Sequence, residues 1–262
     1  MRLCKQQRGF NLIELVIIIT ILGVLMTGTA VYITNSIRAY SDVSRRDQLT
    51  TLGRLTVERV ARSLRTALPN SVRVSNNCLE FLPILGSTVY TNLPSAAPTT
   101  TMTAIDFNLI AGFGTRYVVV YPYNTSAMYS GGSPGPRAGY GSKAGSPVTT
   151  ITLSGSHQFN RHSPQRRLFV VDSPTSYCVE GTNLNRYRGY SISAAQSAPP
   201  SGGSGPQLMA QNIQLNDSGA VTPFTYTPGT LRRNGIVTLD FRFLIDGEWI
   251  RLYHEVQVRN VL

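Results

Sequence analysis

The sequence contains little charge for its length: 14% of its 262 residues are Asp, Glu, Lys or Arg. Acidic residues are the scarcer kind, 13 against 24 Lys and Arg, and the only lysines are Lys5 and Lys143. The net charge of +11 predicts an acidic partner, whether nucleic acid, a lipid headgroup or another protein, without selecting among them.

The acidic residues are too sparse to suggest a calcium loop. His157, His162 and His254 show no metal-ligand pattern. No catalytic constellation stands out, so we expect neither an enzyme nor a metal or cofactor site.

Long apolar runs are absent except near the N-terminus. Between Phe10 and Ile37 the only charged side chain is Glu14. About 20 apolar residues suffice to span a bilayer as a helix, so this segment can cross a membrane. It follows a short positive segment that contains Arg2, Lys5 and Arg8. The positive-inside rule predicts that this segment stays in the cytoplasm and that the rest of the chain faces outward.

The same pattern is open to two simpler interpretations, an ordinary signal peptide and a plain membrane anchor. Glu14 argues against both, because a carboxylate in a spanning helix costs a few kcal/mol and is rarely kept without a task. A signal peptide also has its cleavage site after the apolar run. Here the recognisable junction, Gly9-Phe10, lies before it.

The junction and its surroundings resemble the type IV prepilin signature. The matching residues are Gly9-Phe10-Asn11-Leu12-Ile13-Glu14-Leu15-Val16-Ile17, behind a basic leader and ahead of an apolar run. The resemblance implies cleavage between Gly9 and Phe10 by a prepilin peptidase/N-methyltransferase, with N-methylation of Phe10. It also implies that Glu14 pairs with the N-terminal amine of a neighbouring subunit, an arrangement that low dielectric strongly favours. One departure is Asn11, where Thr or Ser is commoner.

The resemblance gives residues 1–9 as a cleaved leader and residues 10–36 as a transmembrane assembly helix. The first proline is Pro69, so we expect the helix to continue to about Leu68 and residues 37–69 to be its amphipathic part. Apolar residues recur there at helical spacing and predict a stripe that docks on the folded domain: Ile37, Tyr40, Leu49, Leu52, Val57, Val60, Ala61, Leu64 and Leu68. A coiled coil is the weaker alternative, because sustained heptads are lacking.

This helix is also rich in arginine, with Arg38, Arg45, Arg46, Arg54, Arg59, Arg62 and Arg65. The simplest interpretation is a solvated face that is partly paired with Asp42, Asp47 and Glu58. A surface for acidic grooves on neighbouring subunits is the sharper hypothesis. A nucleic-acid track is a third, but no aromatic residues are interleaved to stack on bases.

Residues 70–262 lose the helical period and predict a β-rich domain. The β-prone runs are Ser71–Ser75, Cys78–Ile84, Ala104–Leu109, Arg116–Tyr121, Val148–Leu153, Arg167–Val171 and Arg186–Ile192. Residues 124–147 and 195–206 are rich in Gly, Ser and Pro, and we interpret them as linkers or flexible loops, either disordered or used as variable recognition loops. Near the C-terminus, alternating residues on both sides of Asp246-Gly247 predict a hairpin with one buried face, on which His254 would be a core histidine.

These segments together predict an α+β fold of the type IV pilin kind, in which the long N-terminal helix packs on an antiparallel β-sheet. The C-terminal block, Arg233 to Val237 and Ile250 to Val261, narrows the resemblance. It is similar to the large minor pilins of the mannose-sensitive haemagglutinin (MSHA) pilus system, relatives of the J-type pseudopilins of type II secretion. That family often has proline after the Asn-Val pair, where this chain has Leu262.

The three cysteines are accounted for by the processing that the resemblance implies. Cys4 is lost with the leader, which leaves Cys78 and Cys178 in a domain that faces an oxidising compartment. We predict a disulfide between them; the alternative is two separate buried thiols.

The function that the resemblance implies is that of a minor pilin that primes or caps a filament. Its expected partners are the prepilin peptidase, other minor and major pilins, the inner-membrane assembly platform and inner-membrane lipid. Before assembly it would be a single-pass inner-membrane protein with its N-terminus in the cytoplasm and its folded domain in the periplasm; afterwards it would lie in the pilus or at its tip. The alternatives are a type II secretion pseudopilin and a tip subunit that binds DNA or a surface glycan.

Overall fold

The computed structural model describes residues 11–215, 222–230 and 233–259. Gly9, Phe10 and Cys4 lie outside them. The elements in chain order are α1 Leu12–Leu64, β1 Arg73–Ser75, β2 Cys78–Phe81, β3 Ile84–Asn92, β4 Thr99–Ile105, β5 Tyr117–Val120, α2 Thr125–Ser130, β6 Arg137–Ala144, β7 Val148–His157, β8 Arg167–Val171, β9 Thr175–Glu180, β10 Asn183–Arg188, β11 Ser204–Ala210, β12 Phe224–Thr227, β13 Gly235–Ile245 and β14 Glu248–Val258. The chain divides into two compact units after Gln48, within α1.

The first unit contains α1 from Leu12 to Gln48. By length and composition, α1 is the one described helix that is able to cross a membrane. Its apolar side chains are exposed, among them Leu15, Ile19, Leu22 and Leu25. Such a surface is stable only when lipid or other apolar helices cover it.

The part of α1 in the second unit packs on the β-sheets, as the sequence predicted. Its buried residues include Leu49, Val57, Val60, Ala61 and Leu64. The predicted apolar stripe is therefore confirmed from Leu49 onward. Its first two members, Ile37 and Tyr40, belong to the first unit, where they are 63% and 78% exposed.

The helix ends at Leu64, four residues earlier than the predicted Leu68. The backbone beyond it bonds to Leu82 and Ile84, at the junction of β2 and β3, instead of continuing the helix. The Leu68 N–H donates to the Leu82 carbonyl at 2.8 Å, and the Ile84 N–H donates to the Thr66 carbonyl at 2.9 Å. A long-range pairing thus stops the helix before Pro69 is reached.

Two antiparallel sheets share one apolar core with this part of α1. One sheet has the order β1-β2-β9-β10-β11 and the other the order β12-β13-β14. Alternate residues of β13, from Val237 to Phe243, are buried in the core, together with Phe81 and Tyr177. The predicted hairpin is present: β13 and β14 pair in continuous register around Asp246 and Gly247. The helix-on-sheet layout of the predicted α+β fold is therefore confirmed.

A closed six-stranded barrel is inserted between β2 and β9, and the sequence analysis did not predict it. Its strand order is β3-β4-β7-β6-β5-β8, and all its pairings are antiparallel. It has its own apolar core, which includes Met102, Val118, Ile151 and Phe159. Closure removes the sheet edges, so a barrel of this kind needs no neighbour to cover it.

The interpretation of residues 124–147 as a linker is wrong. They form α2, whose Met128 and Tyr129 are buried, and β6 of the barrel. The glycines of β6 serve close packing: a Cβ at Gly139 would overlap the Ser154 Oγ, and one at Gly141 would lie 2.9 Å from the Thr152 carbonyl oxygen. Glycine in a strand often marks such an approach, and composition alone does not separate this use from flexibility.

The other strand predictions vary in accuracy. β8 has the predicted bounds, and β1, β2, β5 and β7 overlap their predicted runs closely. β4 and β10 begin earlier than predicted, because each pairs along most of a neighbouring strand. The sequence analysis missed β9, β11 and β12 and most of β3. Residues 195–206 are a loop as far as Ser204, where β11 begins.

Gly53 lies where α1 packs tightly against β13 and β14. A Cβ there would overlap the Leu252 Cδ1 and lie 3.3 Å from the Phe243 Cε2. Overpacking of this kind costs roughly 1–3 kcal/mol. We therefore expect Gly53→Val to lower the unfolding free energy of the detergent-solubilised chain by about that amount, measured by denaturant titration. Gly28→Val is the control, since no atom lies within 4 Å of a Cβ at Gly28. Equal stability of the two variants would contradict this packing.

Candidate assembly helix and its supporting domain

Glu14 lies in the first turn of α1 and is the acidic residue of that turn. The turn is formed by the Asn11 carbonyl, which accepts hydrogen bonds from the N–H groups of Glu14 at 3.0 Å and Leu15 at 3.2 Å. Glu14 itself is exposed and has no ion pair among the described residues. The helix thus carries one unpaired carboxylate within an exposed apolar surface.

The serine and threonine hydroxyls of this apolar segment are satisfied within the helix. Thr20, Thr27 and Thr29 each donate to a carbonyl three or four residues earlier, at distances from 2.8 to 3.1 Å. Thr34 and Ser36 donate to the carbonyls of Ala30 and Tyr32. Since unsatisfied donors are costly in hydrocarbon, these bonds suit a helix that lies in lipid or among other helices. Glu14 is the one charged group of the described apolar stretch, and it has no ion-pair partner among the described residues.

The comparison with known families supports this interpretation of the N-terminus. Residues 4–30 match the family model of the prokaryotic N-terminal methylation motif. The chain matches no curated protein and no solved structure. The motif is that of type IV prepilins, and it implies processing by a prepilin peptidase and assembly with other pilins. It favours a single-pass, membrane-anchored structural subunit over an enzyme.

A disulfide between Cys78 and Cys178 joins the strands that precede and follow the inserted barrel. The two residues lie directly opposite each other on β2 and β9, and both are buried. The bond joins positions 100 residues apart, so the whole barrel lies within the loop that it closes. The disulfide therefore links β2 and β9, the strands through which the chain enters and leaves the barrel.

A buried ion pair beside the disulfide was missed by the sequence analysis. The Arg73 Nη2 lies 2.8 Å from the Glu80 Oε1, and the Glu80 side chain is 1% exposed. Arg73 also lies 3.6 Å from the ring centroid of Tyr129 and donates to the carbonyls of Ser193 and Ala194. One signal was available in the sequence, since Glu80 interrupts the otherwise apolar run of β2.

This ion pair anchors the loop of residues 189–203, which lines a polar cavity of about 360 Å³. Burial raises the pKa of the Glu80 carboxyl, and the Arg73 charge and hydrogen bond oppose that rise. Burial also raises the pKa of the Tyr129 and Tyr190 hydroxyls next to it. The pair therefore positions the loop but carries an unfavourable desolvation cost.

The raised pKa of Glu80 predicts the direction of a pH effect on stability. Between the usual carboxyl value and the raised folded value, the folded chain binds more protons, so stability falls as pH rises through that window. Glu80→Gln keeps the shape and removes the titration. We expect the unfolding free energy of the wild type, relative to Glu80→Gln, to be larger at acidic than at neutral pH. Denaturant titrations of both chains across that range measure it. Glu58→Gln, which alters an exposed side chain, serves as the control, and a pH-independent difference would contradict the assignment.

The arginines of α1 are partly paired, as the simplest interpretation predicted. Arg45 lies 2.5 Å from Asp42, and Arg62 lies 2.7 Å from Glu58. Arg54, Arg59 and Arg65 have no ion pair among the described residues. Arg59 and Arg62 line a groove of about 590 Å³ with Arg186, whose Nη2 donates to Gln207. Arg54, Arg59 and Arg65 are therefore available to bind an acidic partner.

Nothing in the described part of the chain suggests chemistry at a metal centre. No group of three or more His, Cys, Asp or Glu side chains is placed to hold a metal ion within residues 11–215, 222–230 and 233–259. The His157 Nε2 donates a hydrogen bond to the Gly135 carbonyl at 3.0 Å, and the ring packs edge-on against Phe159. His254 is exposed beside α1, so its prediction as a core histidine is wrong.

Proposed function

We propose that this chain is a minor pilin that helps to initiate or cap a type IV filament of the MSHA type. The observation that carries the proposal is the prepilin motif, which leads directly into an exposed apolar helix with Glu14 in its first turn. In this account the leader is cut between Gly9 and Phe10, and Phe10 is methylated. The helix is held in the inner membrane, with the folded domain in the periplasm, until it is transferred into the filament.

Glu14 sets the axial register of the assembly in this account. Its carboxylate pairs with the N-terminal amine of a neighbouring subunit, so that each helix is fixed at one height relative to the next. A misplaced helix leaves both charges unpaired in an apolar environment, which is strongly unfavourable. The other pilins and the inner-membrane assembly platform supply the neighbouring helices.

The minor role is supported by the size of the folded domain. The barrel adds residues 84–171 to a helix-on-sheet core, a large head for a subunit that must stack repeatedly. The basic surface of α1 further favours contact with a different, acidic subunit over contact with a second copy, because copies of the mature chain repel one another: without the three basic residues of the leader, 24 − 3 = 21 basic against 13 acidic side chains leave a net charge of +8.

The yield of sheared surface filaments from a deletion strain tests the proposal, compared with wild type and with the complemented strain. We expect the filaments to be lost on deletion and restored by complementation. Normal filament numbers would contradict an initiating role. They would favour a tip-binding subunit or a type II secretion pseudopilin, which a secretion assay in the same strains separates.

A further inference from the structure

β14 is a long strand with one open edge. It is the outermost strand of the order β12-β13-β14, and no described residue pairs along its other side. Its 11 residues, Glu248–Val258, pair with β13 without a register shift. An open edge of this length presents a row of backbone donors and acceptors to another chain.

The hydrogen bonds of β13 show which groups of β14 face outward. The N–H groups of Asp240 and Leu244 donate away from β14, to the carbonyls of Pro223 and Asn212. In an antiparallel sheet alternate residues bond to opposite sides, so Phe241 and Phe243 bond to β14. The register then assigns the outward N–H and C=O groups to the odd-numbered residues of β14: Trp249, Arg251, Tyr253, Glu255 and Gln257.

This edge lacks most of the features that usually protect an edge strand from association. It is not short and has no bulge, proline or lysine; its charged residues are Glu248, Arg251 and Glu255, and Arg251 is paired with Asp240. The other sheet edges differ: β1 has three residues, and β11 contains Pro206 and pairs with β10 through register shifts. β14 is thus the long, regular edge of the described sheets.

A groove runs beside the edge, between β14 and α1. It has a volume of about 330 Å³, and Val57, Ala61 and Leu252 contribute its apolar surface. Arg54 and Arg65 line it as well, and His254 lies exposed within it. The carboxylate on the same wall, Glu58, is already paired with Arg62. The groove is therefore apolar in the middle and positively charged at its border.

We propose that the open edge of β14 binds a β-strand of a different, acidic subunit of the same filament. The added strand continues the sheet through the outward backbone groups of β14. Its inward side chains fill the groove, an apolar one against Val57 and Ala61 and an acidic one beside Arg54 or Arg65. A second copy of this chain is disfavoured, because it brings the same positive charge. The inference rests on the proposed function, which supplies the neighbouring subunit.

Site-specific photo-crosslinking in living cells tests this surface in the full-length chain. The crosslinker p-benzoylphenylalanine replaces Gln257 at the edge, and Ile110, 70% exposed, is the control position. We expect an adduct from position 257 and none from 110. The captured peptide is expected to come from an acidic, β-prone segment of a chain with an N-methylated N-terminus. Arg54→Glu combined with Arg65→Glu should lower the adduct yield about fivefold or more.

A pair of variants at Tyr253 separates strand addition from a side-chain contact. Tyr253→Pro and Tyr253→Ala both remove the side chain, but only the proline removes the outward N–H, at an edge position where proline is tolerated. We expect Tyr253→Pro to abolish the adduct at position 257 and Tyr253→Ala to keep it. A thermal unfolding curve of each purified variant identifies any loss of folding.

Three results would overturn the assignment: equal adduct yields in the two Tyr253 variants, adducts that map to an apolar N-terminal helix, or adducts with a second copy of this chain. Absence of an adduct in cells whose filaments depend on the chain would also overturn it, while leaving the assembly role intact. If filaments form in the absence of the chain, the proposed function is wrong, which is a separate result from failure of the strand-addition assignment.

Discussion

Glu14→Gln is expected to leave leader processing unchanged and to reduce incorporation into filaments by about 100-fold. The variant removes the charge but keeps the shape of the side chain, so the peptidase still meets the Gly9-Phe10 junction. Under the proposed pairing of Glu14 with the amine of a neighbouring subunit, the variant leaves that amine buried without a partner. Removing one member of a buried pair costs roughly 3 kcal/mol or more, which corresponds to about two orders of magnitude in association. Co-purification with partner pilins and immunoblots of sheared filaments measure it.

Asp42→Asn is the matched control for Glu14→Gln. It neutralises a carboxylate of the same helix that lies outside the apolar stretch and already pairs with Arg45. We expect normal incorporation of this variant. If Glu14→Gln also assembles normally, the register role of Glu14 is wrong, although the chain can still be a processed pilin.

Replacing both Cys78 and Cys178 by serine is expected to lower the unfolding free energy by about 4–5 kcal/mol. The chain-entropy model gives this value for a closed loop of about 100 residues. The effect is large because the closed loop is long: it contains the whole barrel, so the disulfide restricts about 100 residues of the unfolded chain. Denaturant titration of the detergent-solubilised chain, with and without a reductant, measures it.

The reductant distinguishes the disulfide from the packing of the two sulfur atoms. Wild type should lose stability on reduction, whereas the double serine variant should not respond. A wild-type chain whose midpoint is insensitive to reductant would show that the bond contributes nothing to stability, and the paired strands β2 and β9 alone would then hold the base of the barrel.

The elements that could be predicted from the sequence are those with strong local patterns. The apolar run around Ile17, the helical stripe from Leu49 to Leu64 and the alternation on both sides of Asp246-Gly247 each specify an element without reference to the rest of the chain. Glu14 stood out because a carboxylate is rare in such a run. In these segments the local sequence pattern and the observed helix or strand agree.

The elements that the sequence did not reveal depend on long-range contacts. The barrel closes because β8 pairs with both β3 and β5, and no local pattern encodes that closure. β6 was mistaken for a linker because Gly139 and Gly141 serve close strand packing. The Arg73–Glu80 pair brings together neighbouring strands with a loop more than a hundred residues away, so only Glu80 itself gave a local signal.

Mass spectrometry of the N-terminus of the chain, recovered from membranes and from sheared filaments, decides whether the chain is a processed pilin. A processed pilin predicts a mature chain that begins at N-methylated Phe10, keeps the whole apolar segment and is present in the filament fraction. An intact Met1, or a chain cut after the apolar run as in an ordinary secreted protein, would contradict the account.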